Sequence, residues 1–285
     1  MSFLLNQKLQ QNAKMFLPLK NEIPNLPMCY RFELTPNTGV PNDDGIYSSG
    51  IFALWEVAKE FGQACVVAPE SQKSAVGHCI TISKPLFINN IKRSNGFEGH
   101  AVSGSPADCV KVGIKRVLNK KPDLILSGIN LGSNLGNNII YSGTVAGALE
   151  GSMQHISSIA FSVDSFEPKS FETSKYVIRE TIKFLLKQNI PKQISLNVNI
   201  PDCTLDQLKG LKITLQGGEY FEDDFNSYKD PKGNSYFWIK GEMVDNDDNF
   251  DSDSFVIKNN YASITPISFK MSDNRIFQKL KNTIE

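Results

Sequence analysis

Two adjacent aspartates, Asp43 and Asp44, are the residues whose types and spacing most directly suggest chemistry. Their carboxylates repel each other, and a bound divalent cation would relieve that repulsion. Gly45 follows them and allows the backbone to turn tightly around such an ion. In isolation, an exposed turn is the simpler interpretation, because asparagine, aspartate and glycine are common turn formers. An EF-hand loop is excluded, since Val40 and Ile51 stand where its acidic ligands belong.

Three later stretches, 70–78, 128–136 and 141–144, are richer in glycine and polar side chains than ordinary turns. Their residues include Ser74, Asn130, Asn134, Ser142, Gly143 and Thr144. The third stretch opens a predicted helix, whose free N–H groups and positive dipole end favour a bound phosphate. The glycines do not form a dinucleotide fingerprint, and the sequence contains no Gly-Lys-Ser/Thr phosphate loop. Nucleotide-cofactor and kinase functions are therefore excluded.

The elements that must position these residues alternate between short apolar strands and helices. Strands are predicted at Cys65–Ala68, Leu124–Leu126, Ile159–Phe161 and Ile194–Ile200. Helices are predicted to follow caps at Ser49 and Ser105, to begin near Thr144, and to span Lys175–Gln188. This alternation predicts an α/β fold with a doubly wound, Rossmann-like, mostly parallel sheet. Ligands of such sheets bind at the carboxyl ends of the strands.

Beyond Lys209 the pattern changes to two-residue alternation, at Leu211–Leu215, Tyr236–Ile239 and Ser263–Thr265. This pattern predicts antiparallel strands or a projecting hairpin within the region of about 211–265. The acidic stretch Asp245–Asp253 between these runs is predicted to be a solvated loop.

The segment 1–41 is predicted to be an atypical N-terminal extension, and 42–285 to form the main domain. Met28–Leu34 alternates as a half-buried strand does, but Pro36 and Pro41 separate it from the aspartates. Proline cannot donate a ladder hydrogen bond and does not belong in a central strand. Either Met28–Leu34 serves as the first strand and a loop carries the acids back to the site, or the central strand is missing.

The amino-acid composition indicates which binding partners and which cellular compartment to expect. The 285 residues contain 30 basic and 30 acidic side chains, which predicts no nucleic-acid or membrane surface. Five widely spread cysteines form no Cys-x-x-Cys pair, which argues against a disulfide framework or a zinc site. The sequence shows neither a membrane-spanning apolar run nor a signal peptide. We expect a soluble, cytoplasmic protein.

Single residues of these motifs also have plain structural interpretations. Ser74 and Asn130, each taken alone, are better explained as loop hydrogen bonders. His78 precedes a strand-like run and is interpreted as a packed histidine with its hydrogen bonds satisfied, rather than as a base.

Taken together, the motifs resemble the SurE (survival protein E) family. The blocks that carry the resemblance are Asn42–Ile46, Val67–Pro69, Ser74–Thr81, Gly104–Val110, Ser127–Asn134, Tyr141–Val145, Asn197–Pro201 and Ser263–Pro266. They cover the chain from Asn42 to about Ile267, and so many blocks in order are highly specific.

The resemblance implies a metal-dependent 5′-nucleotidase, a phosphomonoesterase that hydrolyses nucleoside monophosphates and, in some members, polyphosphate. Its implied metal ligands are Asp43, Asp44, Ser74 and Asn130. These oxygen donors suit one Mg²⁺ or Mn²⁺ ion rather than zinc. The catalytic residues would be Asp43 and Asp44, through a carboxylate oxygen that orients the attacking water. Phosphate would bind at Ser142, Gly143 and Thr144, with help from Asn134.

The resemblance also implies a homodimer or homotetramer, because the family's late hairpin is exchanged between subunits. The alternative function is a non-catalytic binding or scaffold protein that keeps the fold. The atypical segment before Asn42 is the one feature that favours this alternative.

Overall fold

A nine-stranded sheet forms the centre of the computed structural model, which describes residues 31–35, 45–187 and 193–284. The strands in chain order are β1 (Arg31–Thr35), β2 (Gln63–Pro69), β3 (Ile88–Lys92), β4 (Glu98–Val102), β5 (Leu124–Leu131), β6 (Ser157–Val163), β7 (Ser195–Ile200), β8 (Leu211–Ile213), β9 (Tyr220–Lys229), β10 (Ser235–Val244) and β11 (Ala262–Ile267). The sheet order is β3-β4-β2-β1-β5-β6-β7-β11-β8. Among the described strands of this sheet, two pairs are antiparallel, β3–β4 and β7–β11. The predicted mostly parallel sheet is therefore confirmed.

The helices in chain order are α1 (Ser49–Ala58), α2 (Pro106–Val112), α3 (Gly143–Met153), α4 (Glu172–Lys187), α5 (Asp253–Lys258) and α6 (Asn274–Ile284). Helices α1 and α4 pack together, and their buried residues Leu54 and Ile178 belong to one apolar cluster on the sheet. Helices α2 and α3 also pack together. Their buried residues Cys109 and Ala148 belong to two further apolar clusters. Burying each large apolar side chain contributes roughly 1.5–3 kcal/mol. These separate helix pairs agree with the predicted doubly wound fold.

The strand β1 lies in the middle of the sheet. It pairs in parallel with β2, with Leu34 opposite Val66, and with β5, with Thr35 opposite Ser127. The structure therefore corresponds to the first of the two alternatives, in which a strand within the Met28–Leu34 region serves as the first central strand and ends one residue later. Residues 36–44, which connect it to Gly45, lie outside the described residues.

The predicted starts of α1, α2 and α3 are correct to within one residue, whereas α4 begins at Glu172, three residues before the predicted Lys175. Ser48 rather than Ser49 caps α1, since its Oγ accepts a hydrogen bond from the Ile51 N–H at 3.2 Å. Ser105 caps α2 with Pro106 as the first residue, as predicted. The error at Ser48 arose because two adjacent serines are equally good caps by sequence.

The C-terminal prediction needs two corrections. Strands β8 and β11 pair in parallel within the main sheet, so the hairpin is confined to β9 and β10, which form their own antiparallel sheet. We call residues 220–244 the arm. The stretch Asp245–Asp253 is not wholly solvated either, because Asp253 begins α5 and is fully buried.

Among the helices that the structure describes, none has the length and apolarity that crossing a membrane requires.

Candidate active site

The predicted site residues that the structure describes belong to segments at one edge of the sheet. Strands β1, β2, β5 and β6 run parallel, so their carboxyl ends meet at the same edge, which we call the carboxyl edge. Asp43 and Asp44 lie outside the described residues. Gly45, which follows them, is packed against the end of β2: a Cβ there would overlap the Pro69 carbonyl oxygen and lie 3.0 Å from the Ser71 nitrogen. Any larger residue than glycine would therefore separate this turn from β2.

Asn130 lies within β5 rather than in a loop, which corrects the prediction for this residue. The strand runs on to Leu131, and Asn130 pairs with Ser162 of β6. Its side chain is 5% exposed, and its Nδ2 donates a 2.6 Å hydrogen bond to the Gly132 carbonyl. Since the amide nitrogen points to Gly132, the amide oxygen is the atom that can act as a cation ligand. A strand position makes this candidate ligand more rigid than a loop would.

Asn134 belongs to a buried polar network rather than to an open loop. Its backbone N–H donates to Asn199 Oδ1 at 2.7 Å, and its Nδ2 donates to Ser162 Oγ at 2.6 Å. Its carbonyl accepts hydrogen bonds from the side chains of Asn197 and Asn199. This support was not predicted from the sequence, although Asn197 and Asn199 within the predicted strand Ile194–Ile200 are a recognisable signal. The network fixes the segment that follows Asn130.

The start of α3 brings the predicted phosphate residues together. Ser142 is the cap, and its Oγ accepts a hydrogen bond from the Val145 N–H at 3.1 Å. Gly143 and Thr144 form the first turn, where helix N–H groups lack intrahelical partners. Thr144 is fully buried, and its hydroxyl has no hydrogen-bond partner among the described residues. An unpaired buried hydroxyl beside a helix start is what a bound anion would satisfy.

Ser74 lies in the irregular segment after β2, and we call residues 70–81 the Ser74 loop. Ser74 is exposed, and its Oγ accepts a 3.0 Å hydrogen bond from Gln72 Nε2. The Gly77 N–H donates to the Tyr141 carbonyl at 2.9 Å, so this loop contacts the residue that precedes Ser142. The loop with one candidate metal ligand and the helix start with the candidate phosphate residues are thus in direct contact.

His78 is hydrogen-bonded, as the interpretation of a satisfied histidine requires. Its Nε2 lies 3.0 Å from Glu150 Oε2, and Lys111 Nζ lies 2.8 Å from the other oxygen of Glu150. The Glu150 side chain is only 2% exposed. Sequence reasoning missed Glu150, although it is the only charged residue in Gly143–Met153, a helix of small and apolar residues. One charge in such a helix is a usable signal of a buried ion pair.

A group of carboxylates lies where the arm leaves the carboxyl edge. The Glu219 backbone carbonyl accepts a hydrogen bond from the Asn137 N–H at 2.7 Å, and Asp253 Oδ2 accepts one from the Gly136 N–H at 3.2 Å. Burial first, then the charges of Asp245 and Asp164, raises the pKa of Glu219 to about 7. Burial also raises the pKa of Asp253, despite its hydrogen bonds from backbone N–H groups.

The donor atoms of the described residues suit a hard cation. Among these residues, no group of three or more His, Cys, Asp or Glu side chains is placed to hold a metal ion. The candidate ligands are instead the Ser74 hydroxyl and the Asn130 amide oxygen, which are donors that Mg²⁺ and Mn²⁺ accept. A cation at this edge would need carboxylates as well, and Asp43 and Asp44 are the predicted ones.

The chain is similar to curated proteins along most of its length. It is 43% identical over 249 residues to a protein of Thermosipho melanesiensis named 5′-nucleotidase SurE, covering 87% of this chain and 98% of that one. It is 41% identical over 249 residues to the protein of the same name from Thermosipho africanus, again covering 87% and 98%.

A solved structure and a family description agree with these matches. The SurE protein from Aquifex aeolicus superposes with a TM-score of 0.74 at 37% identity, covering 90% of this chain and all of that one. Residues 40–223 match the family described as Survival protein SurE. Matches of this identity and coverage show that the chain belongs to the SurE family.

Proposed function

We propose that this protein is a metal-dependent phosphomonoesterase that hydrolyses nucleoside 5′-monophosphates to nucleoside and inorganic phosphate. The names of its relatives support the reaction, since they are called 5′-nucleotidases. The observation that carries the proposal in this chain is the Thr144 hydroxyl, buried at the start of α3 and unpaired among the described residues. Polyphosphate is a further candidate substrate, because it presents the same terminal phosphoryl group.

The helix start would bind the phosphoryl group. The free N–H groups of the first turn, at Gly143 and Thr144, would donate to phosphoryl oxygens, and so would the Thr144 hydroxyl. The Ser142 hydroxyl accepts from Val145 through a lone pair and keeps its own proton to donate. Asn134 would contribute less directly, since its side chain already donates to Ser162. These donors would stabilise the charge that develops on phosphorus-bound oxygens as the ester bond breaks.

One Mg²⁺ or Mn²⁺ ion would be held by Asp43, Asp44, Ser74 and Asn130. The fit rests on the hard oxygen donors of Ser74 and Asn130 and on the packing of Gly45 against the end of β2, next to the Ser74 loop. When bound, such an ion polarises a phosphoryl oxygen and makes water more acidic. A carboxylate oxygen of Asp43 or Asp44 would orient the attacking water and accept its proton. The departing 5′ oxygen takes up a proton as the nucleoside leaves.

We also infer a cytoplasmic homodimer that forms through the arm, or a homotetramer built from such dimers. The arm supports this inference because its side chains are exposed along both strands and many are aromatic. Free thiols at Cys65, Cys79, Cys109 and Cys203 are compatible with a reducing compartment. The balanced charge gives no reason to expect nucleic acid or a membrane surface as a partner.

Thr144→Val tests the proposal, because valine keeps the shape of threonine and removes only the unpaired hydroxyl. We expect inhibition by inorganic phosphate and turnover of nucleoside monophosphates to weaken together, by roughly 10–100-fold, the value of one hydrogen bond to a charged group. Folding stability should be unchanged or slightly higher. Thr181→Val is the matched control, since Thr181 is equally buried but its hydroxyl donates to Val177 within α4. Unchanged phosphate inhibition in Thr144→Val would place the phosphate elsewhere.

A further inference from the structure

The Ser74 loop has no secondary structure to fix its shape. Neither a helix nor a strand lies between Pro69 and Ile88, a stretch that the structure describes throughout. Ala75 and Gly77 both have φ in the left-handed region, at 52° and 53°. The position of Ser74 must therefore depend on contacts that the loop makes with other elements.

The first of these contacts is the buried carboxylate of Glu150 on α3. Glu150 Oε2 accepts from His78 Nε2 of the loop at 3.0 Å, while Oε1 accepts from Lys111 Nζ of α2 at 2.8 Å and from Gln154 Nε2 at 2.9 Å. Burial raises the pKa of Glu150, but the hydrogen bonds from His78, Lys111 and Gln154 outweigh it and hold the pKa below its usual range. The side chain is thus ionised at neutral pH and joins α3, α2 and the loop.

The second contact is Asp108 of α2, at the far end of the same loop. Its carboxylate accepts from the Thr81 N–H at 3.0 Å and from the Thr81 hydroxyl at 2.7 Å. It also accepts from the Ser105 N–H at 2.9 Å, while the Ser105 hydroxyl donates to the Cys79 carbonyl at 2.7 Å. Asp108 is 2% exposed. Two buried carboxylates, one on α3 and one on α2, therefore hold the loop from His78 onward.

From this arrangement we propose that Glu150 is a positioning residue for the metal-dependent reaction. It holds the Ser74 loop against α3, so that Ser74 keeps its position relative to the phosphate-binding helix start. Asp108 is the second residue that holds the loop. This inference rests on the proposed function, because Ser74 is a metal ligand only if that function is correct. Glu150 lies on the same helix as Ser142 and Thr144, so the His78 contact fixes the loop to the element that would hold phosphate. Displacing a reacting group by about 1 Å can cost on the order of 100-fold in rate.

Glu150→Gln is the main test, because glutamine keeps the size and removes the charge. We expect the Mn²⁺ concentration for half-maximal turnover to rise at least about tenfold, as for loss of a group that orients a metal ligand. Turnover at saturating Mn²⁺ should fall less than the Mn²⁺ affinity does. Mn²⁺ binding to the substrate-free protein, followed by electron paramagnetic resonance, should weaken in parallel. Hydrogen exchange at the Gly77 amide should become faster, while exchange in β5 and β6 stays unchanged.

Glu60→Gln is the matched control, because it also breaks a carboxylate ion pair, to Arg179 at 2.7 Å, without touching the Ser74 loop. If Glu150→Gln proves unable to fold, His78→Leu replaces it, since it removes the same contact from the exposed side, and His78→Gln is its conservative counterpart. His78→Leu should reproduce the loss of Mn²⁺ affinity and the faster Gly77 exchange, and His78→Gln, which retains a donor, should restore part of both.

The outcomes separate this inference from the proposed function. Wild-type protein without Mn²⁺-dependent hydrolysis would overturn the proposed function and the positioning role together. Wild-type protein with metal-dependent hydrolysis, combined with Glu150 or His78 variants that keep normal Mn²⁺ affinity and normal Gly77 exchange, would overturn only the positioning role.

Discussion

The carboxyl edge and the arm are both built from well-paired strands, but their side chains have opposite environments. Every residue of β7 is buried, and so is every residue of β5 except Leu131. In the arm nearly every residue is exposed, and Phe225, Phe237, Trp238 and Ile239 are 55–65% exposed. Backbone pairing is similar in the two regions, so they differ in burial. The core of the subunit makes the carboxyl edge rigid, whereas the arm has no such core.

The arm is therefore the part of the subunit that needs a partner. A two-stranded hairpin is marginally stable alone in water, and large exposed apolar patches mark interaction sites. Its own side chains supply the Tyr228–Tyr236 stack, with centroids 5.6 Å apart, and the exposed Lys240–Asp224 ion pair at 3.0 Å, but neither strand has a buried residue. The joint between arm and edge is firm, because Asp253 accepts from the Gly136 and Gly217 N–H groups and Asn137 donates to Glu219. Changes at the edge or at the joint should thus affect a single subunit more than changes in the arm.

The largest effect is expected for Asn130→Ala at the edge. It removes both the candidate metal ligand and the hydrogen bond to Gly132, so Mn²⁺-dependent turnover should fall roughly 100-fold or more. Asn259→Ala is the control, since Asn259 makes a similar side-chain-to-carbonyl bond, to Phe255 at 2.8 Å, outside the site. Steady-state phosphate release measures both. Equal, small losses in the two variants would mean that Asn130 acts only as a structural residue.

At the joint, Glu219→Gln should change how stability depends on pH. Because the pKa of Glu219 is raised from 4.5 to about 7, the folded state holds this proton more tightly than the unfolded state. Stability from this group is present below about pH 4.5 and is lost as pH rises through about 7. Glutamine removes that loss, so the variant should gain up to about 3 kcal/mol over wild type between pH 4.5 and 8.

Urea denaturation at pH 4.5 and at pH 8 measures the gain in unfolding free energy of Glu219→Gln. Glu222→Gln serves as control, because Glu222 is an exposed glutamate of the arm. A gain of the same size at both pH values would show that the Glu219 carboxyl does not titrate differently in the folded and unfolded states.

Gly50→Ala should destabilise the edge by roughly 1–3 kcal/mol, the usual cost of overpacking. A Cβ at Gly50 would overlap the Ile129 carbonyl oxygen, which is backbone and cannot move aside without shifting β5 next to Asn130. Gly218→Ala at the base of the arm is the contrasting variant, since a Cβ there meets nothing within 4 Å. Thermal unfolding should separate the two. Equal melting temperatures would mean that α1 and β5 tolerate a shift that their packing does not suggest.

The smallest effect on the subunit itself is expected in the arm. Trp238→Ser should change the unfolding free energy of the dissociated subunit by less than about 0.5 kcal/mol, as exposed substitutions generally do. It should nevertheless weaken self-association, measured by sedimentation velocity over a range of protein concentrations. Tyr176→Ser, at an exposed aromatic of α4, should leave association unchanged. Association that is equally strong in Trp238→Ser would remove the arm from the subunit interface.

Sequence patterns predicted the parts of the fold that bury apolar residues at a regular period. Strands β2, β5, β6 and β7 and helices α1, α2 and α4 follow from such runs, whereas α6 was not predicted. The edge strand β3 and its neighbour β4 were missed, since Asn89, Asn90 and His100 interrupt the apolar pattern there. Strand β9 was missed because its aromatic residues follow no two-residue period and it has no buried face.

The sequence predicted which residues could form the candidate site, but it did not predict the residues that hold them in place. Ser142 and Thr144 follow from helix-start chemistry. Ser74 and Asn130 were predicted as metal ligands only through the resemblance to the SurE family, since each taken alone is better explained as a loop hydrogen bonder. Asn130 was placed in a loop because Gly128 and Gly132 resemble turn residues, whereas the strand continues past Gly128. Glu150 and Asp253 could not be assigned partners, because their hydrogen bonds join residues far apart in the chain.

The most direct test of the account is the Mn²⁺ dependence of phosphate release from nucleoside monophosphates, measured for wild type, Asp43→Asn and the exposed-loop control Asp248→Asn. We predict that EDTA abolishes wild-type and Asp248→Asn activity, that Mn²⁺ restores both, and that saturating Mn²⁺ does not restore Asp43→Asn. Full activity of Asp43→Asn at saturating Mn²⁺ would contradict the account, because the adjacent aspartates would then form only a turn.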